Sequence, residues 1–363
     1  MAPTDNLPSR LGWGILSCGK ISSDMANALN AQGARIVAAA ARRIASSKQF
    51  AESHGIPKAY GSYEELVSDA EVDVVYIGAI NTEHKRLAML ALNAGKHCLV
   101  EKPLCMSSKD VRELIAYARE KGLFLMEGLW TRSFPAAQKV REILASGELG
   151  EVLLVQCDLG FDIPFEVERL YDLSQGGGGL PDLGIYPISW ALLCFPGRPV
   201  DSVVAAADLH PGGADMTGVV TIKFRGGGIA SAAYSTRGAT QNELFITAER
   251  GRIRVTGDPS SPRAASAHVP EHVEVFRTST SSGGNGAPET MTFPVPPPPP
   301  TMRVPYNFGK SEGFVFEVMH VEKAILAGLT EGANWTHDES ILAAEIMDAA
   351  RKAMGVPTLH ADA

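Results

Sequence analysis

The first 130 residues alternate short apolar runs with stretches in which apolar side chains recur every three or four positions. The runs at 12–17, 36–41, 73–77 and 97–100 predict buried strands. Between them Ile21, Met25, Ala28 and Leu29 fall on one helical face, as do Leu87, Leu90, Ala91 and Ala94, whose helix Gly95 ends. Ser107 and Asp110 resemble a capping box ahead of the stripe Val111, Leu114, Ile115 and Ala118, and Gly122 stops that helix. Such alternation predicts α/β organisation: a doubly wound parallel sheet with helices on both faces.

After about Thr131 the period becomes two. In 217–224 Val220, Ile222 and Phe224 share one side, the pattern of a sheet with one covered face. Further strands are predicted at 152–156, 202–206, 229–235, 243–248, 252–256 and 273–276, separated by Gly-rich turns, which makes this half α+β with a large, mainly antiparallel, open-faced sheet. Residues 278–301 are rich in Ser, Gly and Pro, with five prolines at 296–300, and predict an exposed excursion of polyproline II character. Helix returns where Phe316, Met319, His320 and Ala324 share a face. Thr336 and Glu339 then make a capping box for a helix reaching about Met354. A chain of 363 residues exceeds one ordinary core, so two domains are expected, 1–130 and 131–363.

Composition narrows the partners. With 45% hydrophobic and 20% charged residues and a formal charge of −8, the chain lacks the basic footprint of a nucleic-acid or anionic-membrane binder, so a small-molecule partner is expected. Five cysteines without CxxC pairs predict neither a disulfide framework nor a zinc site, and nine histidines show no HExxH, so no metal is expected. The N-terminal decapeptide lacks the apolar core of a signal sequence, and a cytoplasmic location is expected.

The first strand-to-helix turn, Ser17-Cys18-Gly19-Lys20-Ile21-Ser22, sits where a doubly wound sheet binds ligands. Gly19 would let backbone approach a pyrophosphate, with the helix N-terminus behind it. Ser17 and Ser22 stand at the first and third glycine positions of GxGxxG, so the turn alone is also consistent with an ordinary βα connection. The second strand ends at Arg42-Arg43 rather than at the acid that binds NAD ribose hydroxyls. Guanidinium groups there favour a 2′-phosphate, hence NADP, the alternative being a solvated strand end.

Four segments, WGILSCGKIS (13–22), INTEHKRLAMLALNAGKHCLVEKPL (80–104), LMEGLWTRSFPA (125–136) and GGGGLPDLGIYPI (176–188), resemble the Gfo/Idh/MocA oxidoreductases. Within that family the resemblance is to the dihydrodiol and NADP-dependent D-xylose 1-dehydrogenases. It implies an N-terminal Rossmann domain and a homodimer. It also implies Lys102 and Tyr186 as the catalytic pair supported by Asp182, and a cofactor held by Ser17, Gly19, Lys20, Ile21, Arg42, Arg43, Asn81, His84, Glu101 and Lys102. Trp130, Arg132 and Arg169 fall at motif positions that would line the substrate pocket, a core tryptophan and a structural ion pair being equally open readings, and Lys102-Pro103 is expected to be cis.

The implied chemistry is coherent. A tyrosine, with a pKa of about 10, is a poor base near neutrality, and a lysine ammonium would stabilise its phenolate. Asp182 and Tyr186, four apart, would share a helical face. Taken singly, each residue has a plain structural role available: a surface lysine, a core tyrosine, a helix N-cap. The implied activity is oxidation of a sugar or cyclic diol hydroxyl. A nicotinamide-dependent glycoside hydrolase and a non-catalytic NADP sensor remain as alternatives on the same fold.

Overall fold

The computed structural model describes residues 11–258, 266–278 and 287–357. The N-terminal decapeptide and residues 279–286 of the predicted excursion lie outside these. The chain divides into two compact units, 1–130 with 295–340, and 131–294 with 341–363.

In the first unit the elements run β1 (Gly12–Leu16), α1 (Lys20–Ala31), β2 (Arg35–Ala40), α2 (Ile44–His54), β3 (Lys58–Tyr60), α3 (Tyr63–Val67), β4 (Val74–Ile77), α4 (His84–Asn93), β5 (His97–Glu101), α5 (Ser108–Lys121) and β6 (Leu125–Gly128). The six strands are all parallel, in the order β3-β2-β1-β4-β5-β6. Strand order reverses beside β1, which puts the ligand crevice at the β1–α1 turn. β1 and β4 are buried along their whole length, as strands covered on both faces must be.

The second unit contains α6 (Pro135–Ala145), β7 (Val152–Gly160), α7 (Ile185–Cys194), β8 (Val200–Leu209), β9 (Asp215–Phe224), β10 (Ile229–Ser235), β11 (Leu244–Ala248), β12 (Gly251–Thr256), β13 (His272–Arg277) and β14 (Glu289–Thr292). Its eight strands run β14-β13-β12-β11-β7-β10-β9-β8. All pairs are antiparallel except β7 with β10. Alternation along β9 buries Val220, Ile222 and Phe224 and exposes Val219, Thr221 and Lys223, so one face is covered.

Two features depart from the sequence reading. Part of 278–301 is not an excursion, because β14 pairs with β13 inside it. The stretch 295–340, expected in the second domain, packs in the first unit with helix α8 (Phe314–Leu326). Buried Asp24 on α1 pins this return. Its carboxylate accepts from the backbone N–H groups of Asn307 and Phe308 and from Ser311 Oγ, at 2.8, 3.0 and 2.7 Å. Trp13 Nε1 donates to Glu322 at 2.9 Å, and Glu127 accepts from Trp335 Nε1 at 2.9 Å and Ser340 Oγ at 2.6 Å. Buried carboxylates need such partners, and few sequence patterns announce them. The last helix, α9 (His337–Met354), starts behind the expected box: Glu339 accepts from Thr336 N, and Glu339 N donates to Thr336 Oγ1.

Candidate active site

In the first unit Ser17, Cys18, Gly19, Arg42, Arg43, Ser46, Tyr63, Ile80 and Glu83 line a cavity of about 540 Å³ at the carboxyl ends of β1, β2 and β4. Gly19 is the N-cap of α1 with no side-chain cap, leaving the first N–H groups of the helix to meet a ligand. A Cβ at Gly19 would meet no protein atom closer than Gly78 O at 3.9 Å, so the space before it belongs to whatever enters.

The two serines in the degraded glycine pattern have different reasons. Ser17 holds a left-handed backbone at φ +76°, which an L side chain adopts at a cost, and it lines the cavity together with Tyr63. Ser22 is buried, and its Oγ occupies the space left by Gly78, where a Cβ would clash with it and stand 2.9 Å from the Tyr76 ring. The close helix–strand contact normally made by a third glycine is thus made here by a serine against Gly78.

Arg42 and Arg43 stand exposed at the rim just past β2, with no acid at the strand end. The fit to a phosphorylated dinucleotide is therefore good: open N–H groups for the pyrophosphate, two guanidinium groups for a further phosphate. Cys18 donates to Ala40 O at 3.6 Å, and burial pushes its thiol up to about 12, so it is an inert wall.

Lys20 and Ile21 open α1 beside Gly19 without lining the cavity, and Asn81 begins a single 3-10 turn next to Ile80. His84 is fully buried, its ring nitrogens 2.8 Å from Pro103 O and 3.1 Å from Ala79 O. Burial pushes its pKa down, and a neutral ring donates its one proton to just one of these carbonyls, while the side chain stands between the Lys102-Pro103 turn and the loop after β4. Glu101 works inward too. Its Oε1 accepts from Tyr76 at 2.7 Å and its Oε2 from Lys102 N at 3.3 Å. The Lys102-Pro103 bond is cis. Trp130 is buried against the Phe314 ring, centroids 4.6 Å apart.

The second unit carries Asp182 and Tyr186. The expectation of one α-helix bearing both fails here. Leu180–Gly184 is a π-turn in which Ile185 N–H reaches back five residues to the Leu180 carbonyl, and the α-helix begins only at Ile185. Pro187, four residues beyond Leu183, has no N–H to close an α-helical bond there. Arg169 is brought to Asp182, Nη1 to Oδ1 at 3.1 Å. Arg132, expected at a substrate pocket, is 1% exposed and donates to Ser189 O at 2.8 Å, a bond that holds α7 rather than presents a charge.

The Tyr186 ring lies nearly buried, edge-on to His268 with centroids 5.4 Å apart, and Ser266 Oγ sits 2.6 Å from His268 Nδ1. Neither His268 nor Tyr63 was picked out from sequence. Tyr63 had a usable signal: Ser62 and Glu65 form a capping box that starts α3 directly after β3. His268, on an irregular segment, had none.

A 3-2-1-4-5-6 parallel sheet with an open helix N-terminus at its switch point defines a dinucleotide-binding domain, and the second unit adds a buried tyrosine and a paired aspartate. Comparison with known proteins agrees. Residues 11–129 match the oxidoreductase family with an NAD-binding Rossmann fold, and 137–254 match the GFO/IDH/MocA C-terminal domain. The trans-1,2-dihydrobenzene-1,2-diol dehydrogenase of Danio rerio is 40% identical over 349 residues, 95% of this chain and 97% of that one. The Homo sapiens protein of that name is 35% identical with the same coverage.

Among solved structures, an NAD-binding oxidoreductase from Klebsiella pneumoniae shares the fold with a TM-score of 0.79 at 22% identity, over 96% of this chain and 97% of that one. A 3-ketoreductase from Actinomadura kijaniata, in complex with NADP and TDP-benzene, does so with 0.76 at 24%, over 95% and 98%. The chain belongs to the GFO/IDH/MocA oxidoreductase family.

Proposed function

We propose that this chain is an NADP-dependent dehydrogenase that oxidises one hydroxyl of a cyclic diol or a sugar. The observation that carries the cofactor choice is Arg42 and Arg43 on the rim of a cavity built around Gly19, where an NAD enzyme would place an acid. Substrate class rests on the relatives at 35–40% identity over 95% of the chain, whose name specifies a dihydrobenzene diol. A nicotinamide dinucleotide held by that cavity through its phosphates would supply the two-electron acceptor. Tyr186 takes the hydroxyl proton and Lys102 supplies the positive charge that favours a phenolate. Asp182, tied to Arg169, supports the tyrosine's segment.

The test is NADPH formation with a panel of cyclic diols and pyranoses, repeated on Lys102→Met and Tyr186→Phe. Loss of positioned acid–base catalysis costs about 10²–10⁴ in turnover, and a loss below about tenfold in both variants refutes the roles.

The open face of the eight-stranded sheet supports a homodimer. Strand register puts Val204, Val219, Ile229 and Phe245 on that one face, 67, 44, 43 and 40% exposed. Sedimentation as a monomer at micromolar concentration would remove this part of the proposal. All five cysteines are free thiols, which supports a reducing, cytoplasmic setting. Among the described residues no helix is long and apolar enough to cross a membrane.

A further inference from the structure

Within the second unit the π-turn that precedes α7 is held from below by two buried side chains of the sheet. Asp215, the first residue of β9, is 1% exposed, and its Oδ2 accepts from Leu180 N–H, the first residue of the π-turn, at 2.5 Å. That N–H is one of the donors a helical start leaves without an internal partner. Asp215 Oδ1 faces the loop just upstream. A Cβ at Gly178 would stand 2.5 Å from it, and Gly178 itself holds φ +139°, a conformation open to glycine.

Tyr234 of β10, also 1% exposed, forms the floor. A Cβ at Gly179 would come within 2.8 Å of its ring, and so would one at Gly184, so the backbone at both ends of the π-turn packs directly against this one ring. The Tyr234 hydroxyl is 3.6 Å from Met354 Sδ, and Arg351 on α9 supplies the positive charge beside Asp215 and Tyr234. Nothing in this cluster is exposed enough to meet a substrate. It is aimed at the backbone that carries Asp182 and leads into Tyr186.

We propose that Asp215 and Tyr234 are positioning residues for the active site: they lock the glycine loop 176–179 and the π-turn, and thereby set the rotation of Asp182 relative to Tyr186. The inference rests on the roles given to those two residues above. Its physical basis is helical geometry. A π-turn accommodates one more residue than the α-helix it interrupts. Collapse to regular α-helix would rotate everything upstream by about 100° relative to α7, since an α-helix turns once in about 3.6 residues. Asp182 and its bond to Arg169 would then swing away from the direction Tyr186 faces.

The experiment compares Asp215→Ala, Asp215→Asn, Tyr234→Leu and Tyr186→Phe. It uses the full chain, with turnover normalised to folded active sites counted by NADPH fluorescence titration. Asp215→Ala is expected to lower kcat by about 10–100-fold, the usual effect of misplacing a catalytic group by about 1 Å, and leave the NADP KM within about twofold. It should also displace the pH of half-maximal kcat by more than about half a unit, because the acid–base group is reoriented. Asp215→Asn, which keeps an acceptor for Leu180 N–H, should recover to within about fivefold of wild type.

A purely structural role predicts fewer folded sites with unchanged kcat per site and an unchanged pH profile; that result overturns the proposal. If Asp215→Ala fails to accumulate as folded protein, Tyr234→Leu carries the same expectation, and wild-type kcat and pH profile there overturn it equally. If Tyr186→Phe retains wild-type turnover, the acid–base role fails and the inference with it. If Tyr186→Phe is inactive while the Asp215 and Tyr234 variants turn over normally, the inference fails alone.

Discussion

Glu317 on α8 is fully buried, and neither of its carboxyl oxygens has a hydrogen-bond partner. Burial, reinforced by the neighbouring Glu101 carboxylate, pushes its pKa well above the usual carboxylate range, so the folded protein holds it as a neutral acid. Below about pH 4.5 the folded and unfolded chains both carry this proton. Above it the unfolded chain releases the proton and the folded chain does not, so stability falls as pH rises, by about 1.4 kcal/mol per unit, until the folded pKa is passed.

Between pH 5 and pH 7 this one group therefore lowers stability, by at most about 1.4 kcal/mol for each pH unit over which it stays neutral in the fold. Glu317→Gln abolishes the titration while keeping the shape. Any constant offset from the buried amide drops out of the slope. The assay is urea unfolding with amide exchange on α8, at half-unit steps from pH 5 to 7.5, for both proteins. The variant should gain on wild type steadily as pH rises, at up to about 1.4 kcal/mol per pH unit. Parallel pH profiles would mean that Glu317 ionises in the fold, and the reasoning from its burial would be wrong.

Other consequences follow from the cavity. Arg42→Ala combined with Arg43→Ala should raise the KM for NADP by about 10–150-fold, the worth of one charge-assisted hydrogen-bonded contact, and change that for NAD by less than about threefold; equal effects on both cofactors would reject the 2′-phosphate assignment. Gly78→Ala should destabilise the first unit by about 1–3 kcal/mol through overpacking against Ser22 Oγ, and adding Ser22→Ala should restore at least about half of that. Additive melting-temperature losses in the double variant would show that the two positions do not compete for space.

Much of the site was legible before any coordinates. Gly19 stands out because a strand followed by a small-residue turn and a helix is a local pattern, and Arg42 and Arg43 because they end the second strand; the structure brings all three to one cavity. Lys102 and Tyr186 are proposed as the catalytic pair through motif resemblance rather than periodicity. His84 and Glu101 were found by the same route, yet their contacts turn inward to the Lys102-Pro103 turn and Tyr76, a distinction that depends on side-chain direction. Asp215 and Tyr234 gave no signal at all, since in sequence they are one more strand start and one more apolar-face position.

Periodicity by itself determined that the chain holds a parallel α/β sheet followed by a largely antiparallel one, because burial on two faces or one writes itself into spacing along the strand. What only tertiary structure decided were the pairings between residues far apart in the chain. The return of 295–340 to the first unit depends on Asp24 and Glu127 finding donors across 200 to 290 positions. The π-turn before Tyr186 depends on a carboxylate that lies 35 residues downstream. Hydrogen bonds of that range leave no period in a sequence, since their energy depends on where two segments meet in space and not on how residues are spaced within either.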